Sequence, residues 1–215
     1  MTPIKIIAEL GINHDGSEAR ARELIDAAAT ARIWGVKFQY RNLKNAYATD
    51  ARQIGDEILK DEIVKTYLAP AKIVSLVRHA HDLGLAAGIS FFVPEDMGDF
   101  GSEIENFDFF KIPSVEFTHK ALADAFAATG KPGLISTGAY AEPAIRSVLN
   151  RLDRAIWTPL HCISNYPVAI TNPRLGYIDH LRHLWGAPVG YSSHDDNWEM
   201  CLLAMQKGAC VIERH

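Results

Sequence analysis

Residues 188–215 read PVGYSSHDDNWEMCLLAMQKGACVIERH. An apolar run, Pro188–Tyr191, leads into Asn197–Lys207, whose apolar residues recur with a helical period. Gly208 stops that helix, and a second apolar run, Ala209–Ile212, follows at once. Two strands joined through a helix lie parallel, with a right-handed crossover. Six more apolar runs precede this pair: Ile4–Leu10, Gly35–Gln39, Ala86–Phe92, Phe107–Ile112, Gly133–Ser136 and Trp157–Ile163. Helical periods fall between several of them. Ala19–Ile33 sets Leu24, Ile25 and Ala28 on one face, and Ile73–Leu83 sets Ile73, Val74, Val77 and Ala80 on another. Lys120–Thr129 and Glu142–Leu152 behave alike, and Gly84 and Gly130 mark further helix stops. Eight strands alternating with helices predict an α/β TIM (β/α)8 barrel over residues 1–215, one domain with no linker or repeat. A doubly wound open sheet is the alternative. Residues 41–70, the least regular stretch, read as a long loop with one short helix. Nothing follows strand eight, so the barrel is expected to lack its last helix.

Composition narrows the function classes. Apolar residues make up 48% and charged residues 22% of the 215, the mix of a globular domain. A formal charge of −4 and a pI near 6.1 lack the basic footprint of a nucleic-acid binder. No run approaches the roughly 20 apolar residues of a membrane span, and Met1 leads into the strand-like Ile4–Ala8 without a charged n-region or long apolar h-region, so no signal peptide is expected. Cys162, Cys201 and Cys210 are odd in number and form no CxxC pair, so the expected location is the reducing cytoplasm.

Catalytic side chains of a parallel barrel come from the carboxyl ends of its strands. In order, those positions hold Glu9 with Asn13-His14-Asp15-Gly16, Lys37 and Gln39, Ser90, and Lys111 with Ser114 and Glu116. Ser136-Thr137-Gly138 follows, then His161, Ser164 and Tyr166, then Ser192 with His194, and finally Glu213 with His215. Lys37 and Lys111 lie inside apolar runs, and lysine is almost never fully buried unless paired. Two of them at one mouth point to an anion such as phosphate, held with Ser114 and the Ser136-Thr137-Gly138 donors. The plainer reading has each lysine snorkel to the rim or pair with Glu9 or Glu116. His194 and His215 close consecutive strands, where neutral imidazoles suit a shared divalent metal; a packed or surface imidazole is the bland alternative. His79, His81, His119, His180 and His183 fall in helices or loops and carry no such signal.

Several blocks match a known family in order, one per strand. They are Ala8-Glu9-Leu10-Gly11-Ile12-Asn13-His14-Asp15-Gly16, Val36-Lys37-Phe38-Gln39, Lys111-Ile112-Pro113-Ser114-Val115-Glu116 and Ile135-Ser136-Thr137-Gly138. Leu160-His161-Cys162-Ile163-Ser164-Asn165-Tyr166-Pro167, Gly190-Tyr191-Ser192-Ser193-His194 and Gly208-Ala209-Cys210-Val211-Ile212-Glu213-Arg214-His215 complete the set. The chain resembles the sialic acid (N-acetylneuraminate, nonulosonate) synthases, barrel domain only. The resemblance implies condensation of phosphoenolpyruvate with an open-chain N-acetylated hexosamine, with C–O cleavage and phosphate release. It implies that Lys37, Lys111, Ser114 and Ser136 hold phosphoenolpyruvate, with Ser90, Ser164 and Ser192 in the same pocket. It implies Mn2+ on His194 and His215, an essential acid at Glu9, Gln39 and Tyr166 facing the acceptor sugar, and a homodimer. Glu9 or Glu116 would be the general base.

The sequence departs from that family in places. Ser193 stands where an Asp before the metal histidine is common, which is expected to loosen that loop. Phe91-Phe92 follows Ser90 where a Thr-Pro is usual, Ser164 replaces a frequent Asn, and Ile163 a usual Thr. The family's C-terminal antifreeze-like domain, whose arginine reaches the partner's sugar site, is absent from these residues, and a fragment of a longer chain is expected. Two rivals follow. Lys111 as a Schiff-base lysine would need a lowered pKa and no metal. A catalytically degenerate barrel would bind sugar or phosphoenolpyruvate as a sensor or subunit.

Overall fold

The computed structural model of the chain describes residues 3–46 and 63–215. Eight strands run in chain order: β1 Lys5–Glu9, β2 Gly35–Gln39, β3 Ala86–Ser90, β4 Phe109–Ile112, β5 Gly133–Ser136, β6 Trp157–His161, β7 Gly190–Ser193 and β8 Val211–Arg214. Each pairs in parallel with the next, and β8 returns to β1 through Lys5↔Val211 and Ile7↔Glu213, closing a barrel. Closure excludes the open doubly wound sheet. The expected loop after β2 is described at its two ends, with a helical turn over Leu43–Ala46; residues 47–62 lie outside the described residues.

Helices α1 Glu18–Thr30, α2 Pro70–Asp82, α3 Lys120–Ala128, α4 Glu142–Leu149, α5 Gly176–Trp185 and α6 Glu199–Gln206 surround the strands. Ser17 caps α1 by accepting the Arg20 amide at 3.2 Å, and Pro70 opens α2, where its missing N–H is harmless. Helix α5 was not evident from the sequence, although Ile178, Leu181 and Trp185 bury one face and left-handed Gly186 (φ 71°) ends it. Between β3 and β4 the chain takes 3₁₀ turns over Pro94–Asn106, broken at Gly101, in place of an α-helix. Among the described residues no helix is long and apolar enough to cross a membrane.

The period of two along each strand divides the interior from the helix-facing layer. Val36, Phe38, Ile89, Phe110, Ile112, Ile135 and Ile212 point out into the core shared with the helices. Ile7, Phe109, Leu134, Leu160 and Val211 point in and form a separate apolar plug. Gly88 makes room for it, since a Cβ there would lie 2.2 Å from the Phe109 ring. One step of two residues further along the same strands, Ile7 gives way to Glu9, Phe109 to Lys111, Leu134 to Ser136, Leu160 to Cys162 and Val211 to Glu213. The barrel is thus greasy at one end and ionic at the other.

Candidate active site at the barrel mouth

The ionic layer is built on Glu213, which is 0% exposed. Its Oε2 accepts from Lys111 Nζ at 2.7 Å and from Ser192 Oγ at 2.6 Å, and its Oε1 lies 3.5 Å from Lys37 Nζ. Lys37 (1% exposed) also ion-pairs with Glu9 and donates to Ser90 Oγ at 3.0 Å. Neither lysine snorkels. Lys37 takes Glu9, as one sequence reading allowed, but Lys111 takes Glu213 rather than Glu116. Glu116 is buried in the turn Ser114–Glu116, while the charges acting on Glu9 are chiefly those of Lys37, Glu213 and Lys111.

Burial and charge set these groups apart. Burial pushes the Glu213 carboxyl up, but the Lys111 and Lys37 ammoniums overcome it and hold the group below the usual carboxylate range. Glu9 ends above that range, because burial and the Glu213 charge outweigh Lys37. Burial opposes the Lys111 ammonium, yet Glu213 raises its pKa overall. A lysine poised for imine chemistry needs the opposite shift, so the Schiff-base reading loses its physical basis.

The two terminal histidines meet beside this layer, their ring centroids 4.3 Å apart and nearly perpendicular. His194 Nδ1 lies 2.7 Å from the Ile163 carbonyl and His215 Nδ1 3.1 Å from the Ser193 carbonyl. A carbonyl only accepts, so both imidazoles carry their proton on Nδ1 and turn a bare Nε2 elsewhere. The His194 Nε2 accepts from the Tyr166 hydroxyl at 2.9 Å, with the Tyr166 ring stacked on it at 4.0 Å. The His215 Nε2 faces Glu9 Oε2 at 4.0 Å. Both rings are held to a pKa of about 4, by burial first; His215 then depresses His194, while at His215 the Glu213 carboxylate opposes burial and the Lys111 and Lys37 ammoniums reinforce it.

Glu9, Glu213 and His215 each offer a ligand atom, all within 4.8 Å of one another. Glu9 Oε1 and Glu213 Oε1 are buried with no hydrogen-bond donor among the described residues, and Gly11 leaves the space above Glu9 open. Two carboxylates and imidazoles with unprotonated Nε2, that of His194 shared with the Tyr166 hydroxyl, fit a divalent ion of the Mn, Fe or Co kind. His194 lies beside this trio rather than within it. The sequence places Glu213 at a strand end and gives it no role; the period of two from inward Val211 is the signal that finds it.

The hydroxyl side is assembled from β4 to β6. Ser114 Oγ accepts the Gly138 amide at 3.1 Å and touches Cys162 Sγ at 3.1 Å. Ser136 Oγ is buried beside the same thiol, and a Cβ on Gly138 would come within 2.7 Å of Ser164 Oγ. Gln39 ends β2 opposite Ser90, close enough to Gly11 that a Cβ there would meet its Nε2 at 2.7 Å. Phe91 sits in the aromatic core with Tyr40, Phe100, Phe110 and Phe126, and the Arg41 guanidinium covers Phe92 at 3.5 Å. Packing thus occupies positions where the resemblance suggests hydroxyl contacts. Tyr166, Pro167, His194, Asp195, Asp196, Arg214 and His215 line an open cleft of about 290 Å³ over the two imidazoles.

Residues 24–215 match the family model described as the NeuB family. The chain belongs to that family. It is 32% identical over 98% of its length to the N,N'-diacetyllegionaminic acid synthase of Campylobacter jejuni, covering 66% of that protein. It is 27% identical over 99% of its length to the human N-acetylneuraminate-9-phosphate synthase, covering 62%. Its fold superposes on the N-acetylneuraminic acid synthetase of Leptospira borgpetersenii, solved with citrate, with a TM-score of 0.86 at 25% identity. That likeness covers 99% of this chain and 73% of the other. The chain spans 59 to 66% of the length of the first curated relatives it matches.

Proposed function

We propose that the barrel of residues 1–215 is the condensing unit of a nonulosonate synthase. It joins phosphoenolpyruvate to an open-chain N-acetylated hexosamine and releases inorganic phosphate. The observation that carries this reading is the buried Lys37–Glu213–Lys111 array beside two imidazoles with bare Nε2 atoms. Relatives named as synthases of N,N'-diacetyllegionaminic acid, N-acetylneuraminate 9-phosphate and pseudaminic acid support the substrate class. All three cysteines are free thiols, in keeping with a cytoplasmic location.

Lys37 and Lys111 would exchange carboxylate partners for the phosphate and carboxylate of phosphoenolpyruvate, with Ser90, Ser114, Ser136, Ser164 and Ser192 as neutral donors around it. Carbon 3 then attacks the aldehyde carbon, forming the new C–C bond as the C=O π pair moves onto the aldehyde oxygen, which takes up a proton to become a hydroxyl, and leaving cationic character at carbon 2. Water adds at carbon 2, and the tetrahedral product expels phosphate by breaking the C–O bond. Glu9, held above the ordinary carboxylate range, is suited to take the proton from that water, whereas Glu213 stays ionised beside the developing cation. Gln39 and Tyr166 would orient the acceptor. Glu9, Glu213, His215 and the neighbouring His194 would hold a divalent metal, Mn2+ in our reading, which when bound supplies Lewis-acid polarisation of the aldehyde oxygen.

The test is phosphate release from phosphoenolpyruvate with Mn2+ and a panel of N-acetylated hexosamines. Sugar-dependent release, lost in Lys111→Ala and His194→Ala, is the expected result. Absence of release with every sugar, despite bound phosphoenolpyruvate, would favour the degenerate binding barrel instead.

A further inference from the structure

Below the two imidazoles lies a carboxylate to which the reaction above gives no role. Asp195 is 2% exposed, and its Oδ2 accepts from Tyr191 Oη at 2.5 Å and Ser193 Oγ at 2.9 Å. Its Oδ1 is buried with no hydrogen-bond donor among the described residues. Arg214 Nη1 donates to Ser193 Oγ at 3.2 Å and to the Asp195 carbonyl, joining the end of β7 to β8. Asp195 also bridges to Val168 on the loop after β6, and the Val168 amide donates to the His194 carbonyl at 3.0 Å.

The side-chain bonds converge on His215. Asp195 holds the Ser193 hydroxyl, and the Ser193 carbonyl receives the His215 Nδ1 proton. The contact with the β6 loop is backbone alone, a bridge between Asp195 and Val168 with the Val168 amide on the His194 carbonyl, so it does not depend on the carboxylate. A buried carboxylate oxygen without a donor costs stability.

We propose that the Asp195 carboxylate is a positioning group that fixes the His215 imidazole in the Nδ1–H form with Nε2 presented to the cleft. It acts through Ser193 and Tyr191. The metal arm of its test rests on the synthase reading above; the imidazole arm does not.

The experiment uses the full chain, metal-free, with ¹⁵N-labelled histidine. In the parent protein both rings show a protonated Nδ1 and a bare Nε2. Asp195→Ala is expected to average the His215 ring, leaving His194, tied to the β6 loop through backbone, and His161, whose Nε2 donates to the Pro173 carbonyl at 2.8 Å, unchanged. Asp195→Asn keeps an acceptor oxygen and is expected to restore the parent shifts. Ser193→Ala, which severs the same route, is expected to shift the same ring and serves if Asp195→Ala does not fold. In a Mn2+ titration, Asp195→Ala weakens binding about tenfold and Asp195→Asn far less. Parent His215 shifts in Asp195→Ala, or equal loss in Asp195→Asn, would overturn the proposal. If the parent protein binds no Mn2+, the metal reading falls, and the imidazole shifts still decide the role of Asp195.

Discussion

Lys111 and Glu213 are 102 residues apart in the chain, and their side chains meet at 2.7 Å inside the barrel. The pair is sealed from water, so its two members do not behave as independent groups. Removing one leaves the other as an uncompensated buried charge, whereas removing both often leaves stability nearly unchanged. Lys111→Met is therefore expected to lower the unfolding free energy by about 3 kcal/mol, softened by Lys37 on the opposite oxygen. Lys111→Met/Glu213→Leu should recover at least part of that loss. Urea unfolding of the two single variants and the double variant closes the cycle, and simple additivity would show that the pair is uncoupled.

Gly88 carries the apolar end of the barrel in the same way that Glu213 carries the ionic end. A Cβ at Gly88 would sit 2.2 and 2.3 Å from two atoms of the Phe109 ring, which is itself fixed against Trp34 at 5.1 Å. Gly88→Ala is expected to destabilise by about 1–3 kcal/mol through overpacking. Trimming the ring with Phe109→Leu in the same chain should return part of it. A Gly88→Ala variant as stable as the parent would mean that the plug is looser than its geometry.

The strand count, the parallel closure and most ionic residues of the mouth were legible in the sequence because they obey local rules. Strands show as apolar runs, and side chains that end them face the mouth. Helix α5 was missed because Gly176 and Tyr177 open it without a capping side chain, in a stretch rich in His and Arg. The pairing of Lys111 with Glu213 was missed because only barrel closure brings β4 opposite β8. The loss of an acid at residue 193 was expected to loosen its loop. Instead Asp195 reaches back to the Ser193 hydroxyl, a turn geometry that no spacing rule displays.

Stability should depend on pH through the buried histidines. His14, His161, His194 and His215 are all depressed below 6.5, first by burial, with His194 and His215 near 4. A group whose folded pKa lies below its unfolded value contributes stability that is fully present above the unfolded value and lost as pH falls towards the folded one. The metal-free protein is thus expected to lose stability steadily from about pH 6.5 down to about 4. Glu213, also depressed, adds a further loss only below the ordinary carboxylate range, while raised Glu9 works in the opposite sense. Urea midpoints across this range measure the slope, and His161→Gln should flatten it. A midpoint that does not change between pH 7 and 5 would contradict these shifts.

Tyr166 is the group that metal loading must move. The residue is 70% exposed, yet its hydroxyl occupies the bare Nε2 of His194. An ion recruiting that nitrogen has to break the hydrogen bond, worth about 0.5–1.5 kcal/mol net. Tyr166→Phe keeps the stacked ring and removes the competitor, so Mn2+ should bind more tightly, by roughly two- to tenfold. The same substitution removes a donor proposed to face the acceptor sugar, so the KM for the hexosamine should rise while that for phosphoenolpyruvate stays close to the parent value. Calorimetric titration with Mn2+ and steady-state phosphate release separate the two effects. Weaker Mn2+ binding in Tyr166→Phe would mean that the hydroxyl supports the imidazole instead of competing for it.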